Sequence, residues 1–239
     1  MATFSTVDLD LLFPDSDGKP MADNTEQFRW IVMIKENLEI LFKDDPMVFI
    51  AGDLLWYPVQ STAVLGIAPD VMVVFGRPKG KRGSYKQWQE ENLGPQVVFE
   101  ILSPSNTTSE MEQKRQHYQV YGVQEYYLYD PNTNQMRGWQ RQGAELVAIA
   151  PLNQWVSPRL GIRFEQAIPE WRLYHPDGRQ FLTSVELDDR AEQERNRAEQ
   201  ERIRAAQAEA ALQLEKEKSD RLAQLLREQG IDPDKLGFR

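Results

Sequence analysis

The sequence has no cysteine. That excludes a disulfide framework, a thiolate metal site and a cysteine nucleophile. Histidine is nearly absent too: His117 and His175 are the two in the chain, which excludes an imidazole-rich zinc centre. No run approaches the roughly 20 apolar residues that cross a bilayer. The first twenty residues are acidic and interrupted by proline, unlike the basic start and apolar middle of a signal peptide. These absences point to a cytoplasmic protein with no membrane association. Walker, GxGxxG and GxSxG sequences are also missing. Cations are in the minority, with a formal net charge of -9. Such a balance opposes broad coating of nucleic acid while leaving room for a local basic patch.

The 239 residues include 41% hydrophobic and 10% aromatic side chains, enough for one sizeable core with an appendage. A change of texture near Ser184 marks that appendage. From Val185 to Gln229 there is neither proline nor glycine, and Ala, Glu, Gln, Arg and Leu dominate. This predicts one helix roughly 60 Å long, stopped at Gly230 with Pro233 beyond. A 4-3 spaced seam through Leu187, Ala191, Glu194, Ala198, Glu201, Ala205, Ala208, Leu212, Glu215, Ser219, Leu222 and Leu226 holds eight apolar residues of twelve. The small alanines and three glutamates make it a weak coiled coil, anchored by Leu212, Leu222 and Leu226 and pairing two copies of the chain. A solvated single helix with charge pairs such as Glu217–Arg221 is the alternative.

Ahead of Ser184 the pattern is mixed. Asp23 or Asn24 starts a helix running to Phe42, with Phe28, Ile31, Ile34, Leu38 and Leu41 on one face. Strands follow over Met47–Trp56, Asp70–Phe75 and Gln96–Leu102, with a helical turn or two at Tyr85–Asn92. A second helix covers Thr107–Tyr121 and ends at Gly122, and Glu125–Tyr129 is a strand closed by Asp130-Pro131. Asn134–Arg141 and Ala144–Ala150 form a hairpin across Gln142-Gly143. The order predicts an α/β domain with a mixed central sheet flanked by helices. Three regions result: an N-terminal extension over residues 1–22, a domain over 23–183 and the long helix with a short tail over 184–239.

Two acids stand on otherwise apolar strands. Asp70 opens DVMVVF directly after Ala68-Pro69, and Glu100 sits inside VVFEIL. A lone carboxylate there is costly to bury, so it must pair with a base, accept several hydrogen bonds or hold a cation. Lys114 follows on the next helix. Two readings fit: a structural ion pair between Glu100 and Lys114, or two carboxylates holding a divalent metal beside an ammonium, a set able to hydrolyse a phosphodiester. Arg77, Lys79, Lys81, Arg82 and Lys86 place five cations in ten residues, either as a solvated basic loop or as a clamp on a phosphate backbone. Asp53 could face the same site from the first strand or occupy a turn. His117 lies near Lys114 and reads first as a surface or core-edge residue. Tyr118 and Tyr121 read as packing residues, and Trp139, Trp155 and Trp171 as core or rim of the β-rich part.

Ala68-Pro69-Asp70, Val98-Phe99-Glu100-Ile101-Leu102-Ser103-Pro104-Ser105, Lys114, Tyr118, Tyr121-Gly122-Val123 and Glu125-Tyr126-Tyr127-Leu128-Tyr129-Asp130-Pro131 together resemble the Uma family. These are restriction-endonuclease-like bacterial proteins within the wider PD-(D/E)XK nuclease superfamily. The resemblance covers roughly residues 23 to 180, and a charged helix ending like Leu222–Asp234 is a frequent appendage there. It implies a restriction-endonuclease-like fold and a magnesium- or manganese-dependent endonuclease acting on DNA. In that reading Asp70, Glu100 and the carbonyl of Ile101 hold the metal and Lys114 acts on the attacking water. The superfamily's lysine stands two residues after the second acid, where this chain has Leu102, so Lys114 would supply the missing ammonium. An acid on the first helix, Glu36 or Glu39, would complete the site. Because Lys114 is displaced from the usual place and the net charge is negative, a catalytically inactive adaptor or an oligomerisation protein is the alternative.

Overall fold

The computed structural model describes residues 12–16, 18, 22–230 and 232. The N-terminal extension and Pro233 lie largely outside these, although Phe13 is buried against Tyr57 and Trp88. The chain divides into two compact units, Met1–Thr183 and Ser184–Arg239.

In the first unit, helix α1 (Thr25–Leu41) is capped by Asn24, whose side chain accepts from the Gln27 N–H. Its buried stripe is Trp30, Ile31, Met33, Ile34 and Leu38, with Gln27 and Asn37. Phe28, expected on that face, is exposed. Strand β1 (Val48–Gly52) ends at Asp53, which has φ +48°. That left-handed residue breaks the expected continuous strand and leaves only the short β2 (Trp56–Tyr57) beyond it. Strand β3 is Val71–Phe75. The helical turns expected over Tyr85–Asn92 are instead a short strand β4 (Tyr85–Lys86), parallel to β2, and a 3₁₀ turn at Gln87–Gln89. Then come β5 (Val97–Ile101), α2 (Thr108–Val120), β6 (Glu125–Asp130), β7 (Gln135–Gln142) and β8 (Glu145–Ala148). A separate hairpin pairs β9 (Arg163–Glu165) with β10 (Arg172–Tyr174).

Six strands form one mixed sheet in the order β1-β3-β5-β6-β7-β8. Its only parallel pair is β5–β6, joined through α2 as a βαβ crossover. All other neighbours are antiparallel. Alternation along the strands gives the sheet two apolar faces. On one, Val71, Val73, Phe99, Tyr127 and Tyr129 pack with Trp30, Ile34 and Leu38 of α1. On the other, Met72, Val98, Tyr126 and Leu128 pack with Met111 and Tyr118 of α2. Glu100 belongs to this second face, because it alternates with Phe99 and Ile101.

The second unit is helix α3 (Ser184–Glu228), which has no buried residue of its own. Gly230, at φ +78°, takes the left-handed conformation that ends the helix. Among the described residues no helix is long and apolar enough to cross a membrane.

Candidate active site

The sheet register aligns the acids that the sequence separates. Val71 pairs with Phe99, and Gly52 with Val71. One residue further along these antiparallel pairs, Asp53, Asp70 and Glu100 stand opposite one another on three neighbouring chain segments. The Asp53 N–H donates to the Asp70 carbonyl at 3.2 Å. The same row continues across the sheet through Leu128 to Arg137.

Asp70 and Glu100 are both buried, with 7% and 2% of their surfaces exposed. The backbone N–H of Ile101 donates to Asp70 Oδ2 at 2.6 Å. Helix α2 brings two donors to Glu100: Lys114 Nζ reaches Oε2 at 2.8 Å, and the Tyr118 hydroxyl donates to Oε1. Lys114 and Tyr118 are four residues apart and so share one face of the helix. Thr107 and Glu110 fix the helix start through a reciprocal capping box. From α1, Gln27 Nε2 donates to the Ile101 carbonyl at 3.0 Å in a buried contact.

The electrostatics follow from crowding carboxylates in a dry place. Desolvation, followed by the charge of Glu100, pushes Asp70 up from its ordinary 3.8 to about 8; Asp53 adds to this, and Lys114 and the Ile101 N–H oppose it. For Lys114 desolvation is the largest influence and acts downward. The charges of Glu100 and Asp70 outweigh it, holding the ammonium above its ordinary range. Burial and Glu100 likewise hold the Tyr118 phenol protonated, well above its ordinary value. At neutral pH the cluster therefore contains two donors that keep their protons and an aspartate that gives up its own reluctantly.

Several expected residues are placed elsewhere. Glu36 pairs with Lys35 at 3.0 Å, and Glu39 pairs with Lys79 at 2.9 Å. The contribution of α1 to the row of acids is thus Gln27 at its N-terminal end. In the basic segment, Arg77 pairs with Glu90 at 3.0 Å and Glu91 at 2.7 Å, and Arg82 pairs with Glu90 at 2.6 Å while covering the Phe49 ring. With Lys79 held by Glu39, Arg77, Lys79 and Arg82 each have a carboxylate partner within the domain. Lys81 is exposed, and Lys86 lies half-buried on β4. His117 faces Trp56 and Tyr121, and burial lowers it to about 4, so it is neutral at physiological pH.

The family profile described as "Uma2: Putative restriction endonuclease" matches residues 19–178. The chain belongs to the Uma2 family. A solved structure with which this Uma2 domain shares 16% identity, described as a putative nuclease belonging to DUF820 from Anabaena variabilis ATCC 29413, superposes with a TM-score of 0.43; the alignment covers 59% of this chain and 74% of that one. A comparison with curated proteins finds no match. Family membership makes this a nuclease-type α/β domain.

Sequence reasoning missed two participants. Tyr118 reads from the sequence as a packing residue, although its i+4 spacing from Lys114 puts it on the same face. Gln27 carried no signal beyond its place in the capping sequence, because its partner is 74 residues away.

Proposed function

We propose that this protein is a metal-dependent endonuclease that hydrolyses phosphodiester bonds in DNA, with Asp70, Glu100 and the Ile101 carbonyl holding Mg²⁺ or Mn²⁺. The observation that carries the reading is the convergence of two buried carboxylates from adjacent strands on an ammonium from the crossover helix. The donor set fits such an ion: it is all oxygen, and Asp70 at about 8 is a carboxylate whose charge lacks compensation. Among the described residues no three Asp, Glu or His side chains group to hold a metal. Two carboxylates, a carbonyl and several waters match the sparse protein coordination typical of magnesium. When bound, the ion would neutralise phosphate charge and make a water molecule more acidic.

The remaining roles belong to the chain. Lys114 stays protonated, so it cannot be the base; it would orient the attacking water or donate to charge developing on the phosphate. Tyr118 holds Glu100 in its rotamer, and Gln27 and the Ile101 N–H fix the strand segment that carries the carbonyl. Of the basic segment, the exposed Lys81 would meet the DNA backbone directly. Arg77, Lys79 and Arg82 would first have to exchange their internal carboxylate partners. A homodimer through α3 would present two sites, one for each strand of a duplex. The exposure of Leu212 and Leu222 supports it.

One observation favours a second reading, a catalytically inactive adaptor: both oxygens of Glu100 already accept hydrogen bonds, and the Ile101 carbonyl is taken by Gln27. Titration calorimetry with Mg²⁺ and Mn²⁺ separates the two. Binding by the wild type that is lost in Asp70→Asn and in Glu100→Gln, with DNA cleavage lost in parallel, is the expected result. A folded wild type that binds neither ion, with or without DNA, would leave the adaptor.

A further inference from the structure

A small cavity of about 120 Å³ opens on the sheet face that carries Glu100, between the start of α2 and strands β6 and β7. Arg115, Arg137, Tyr126, Thr107 and Thr108 line it, with one carboxylate, Glu112. Glu112 is bound to Arg115 at 2.6 Å, so the lining carries one net positive charge from two guanidinium groups and a carboxylate. Thr108 is the first residue of α2, where an N–H lacks an intrahelical acceptor and the helix dipole favours an anion.

An independent feature points to a ligand. The Tyr126 side chain is completely buried, yet its hydroxyl has no hydrogen-bond partner. Its ring is fixed between Trp139, stacked at 5.0 Å, and Tyr118 at 5.1 Å. Burial and the charge of Glu100 keep the phenol protonated, and both Arg137 and Arg115 act on it electrostatically. A buried donor without an acceptor costs about 1–3 kcal/mol, and such a group is expected to be satisfied when the site is in use.

We propose that this cavity binds a phosphate group, held by Arg137, Arg115, the Tyr126 hydroxyl and the first turn of α2. The volume has room for about four waters at roughly 30 Å³ each, enough for a phosphate. Two guanidinium groups and a phenol among the lining residues are donors of the kind an oxyanion takes. Arg137 stands in the same cross-strand row as Glu100, two strands away, a backbone separation of about 10 Å. A duplex strand rises about 3.4 Å per nucleotide. The source of the phosphate rests on the nuclease reading: it is a backbone phosphate within a few nucleotides of the bond cut, and the cavity sets where the strand lies across the acids.

The test is binding of inorganic phosphate to the full chain without metal, followed by ³¹P line broadening at constant ionic strength. Arg137→Gln and Tyr126→Phe are compared with Arg172→Gln, a control at an exposed arginine on β10. Loss of about tenfold in affinity for each cavity variant, one hydrogen bond's worth, with the control unchanged, is expected. Tyr126→Phe removes an unpartnered hydroxyl, so it should fold with undiminished thermal stability. Phosphate affinity equal in all four proteins, or no broadening in the wild type, would overturn the proposal. Oligonucleotide binding in calcium, with and without a 5′-phosphate, then identifies the source. Equal weakening of both by Arg137→Gln means a backbone phosphate, and weakening of the phosphorylated strand alone means a terminal one. A protein that binds phosphate through Arg137 but never cleaves DNA would defeat the nuclease reading and keep the cavity; one that cleaves with an indifferent cavity would do the reverse.

Discussion

Two buried glutamates on adjacent parallel strands have opposite surroundings. Glu100 on β5 and Glu125 on β6 are 2% and 1% exposed. Glu125 lies among neutral donors: the hydroxyls of Tyr127 and Ser157 donate to Oε2, and the backbone N–H of Arg159 donates to Oε1 at 2.9 Å. It ties the start of β6 to the Ser157–Leu160 segment, where Ser157 also accepts from the Leu160 N–H at 2.9 Å. Glu100 instead shares its place with Asp70 and has an ammonium on one oxygen. A carboxylate surrounded by neutral donors has nothing left to attract and serves as a structural knot. One beside a second carboxylate holds charge that the protein alone balances incompletely, which is the mark of a site made for something else. Burial of an acid therefore identifies function only together with its neighbours.

The largest effect expected from breaking this comparison is on cleavage. Glu100→Gln should lower metal-dependent DNA cleavage by about a thousandfold or more, roughly 4 kcal/mol of barrier, with a melting temperature close to wild type because Asp70, relieved of the neighbouring charge, can ionise and balance Lys114. Glu125→Ala should do the opposite. It strands two hydroxyls and an N–H, costing about 3 kcal/mol or more of stability in urea unfolding, while cleavage per folded molecule stays at the wild-type level. Reversed outcomes would exchange the roles assigned to the two residues.

A smaller effect sharpens the electrostatic half of the contrast. Asp70 titrates at about 8 in the fold and at its ordinary 3.8 when unfolded. Between those values the folded state holds the extra proton, so the Asp70 contribution to stability is full below about 4 and falls as pH rises toward 8. Asp70→Asn should remove that decline, leaving the variant more stable than wild type at pH 8, with the difference shrinking toward pH 4. Chemical denaturation at both pH values in chelator measures it, and identical pH profiles would contradict it. Smallest of all should be removal of α3. A chain ending at Thr183 should keep its unfolding midpoint within a few degrees, since α3 buries no residue of its own. In sedimentation it should run as a monomer, and the 239-residue chain is expected to run as a dimer.

Much of this was legible beforehand because it is local. The β5 run VVFEIL is apolar on both sides of one acid, which marks a central strand carrying a charged residue. The Thr107 capping box and Gly122 bracket α2 and so place Lys114 on the helix that follows. The α/β class with a mixed sheet followed from the order of such segments, and its restriction-endonuclease-like character from the resemblance to the Uma family. Less could be read where partners are distant. Arg77 and Arg82 look like a solvated basic stretch until the chain returns with Glu90 and Glu91. Glu125 reads as the first residue of a strand until Ser157 and Arg159 close over it. Asp53 reads first as a turn or edge residue and only second as a neighbour of the site. It takes both roles, a left-handed residue that ends β1 and a charge felt by Asp70.

The sequence by itself determined the two long helices of the domain and the tail, the main strands of the sheet, the two-sided burial of β3 and β5, the acids on them and the break at Ser184, because propensity, capping and hydrophobic period act over a few residues. Only the tertiary structure decided which acids face each other. Register is a property of strand pairs, and it put Asp53, Asp70 and Glu100 in one row, Arg137 at its far end, and Glu36 and Glu39 elsewhere. It also decided which charges are satisfied, since a carboxylate's state depends on donors that arrive from 14 residues away for Glu100 and 34 for Glu125.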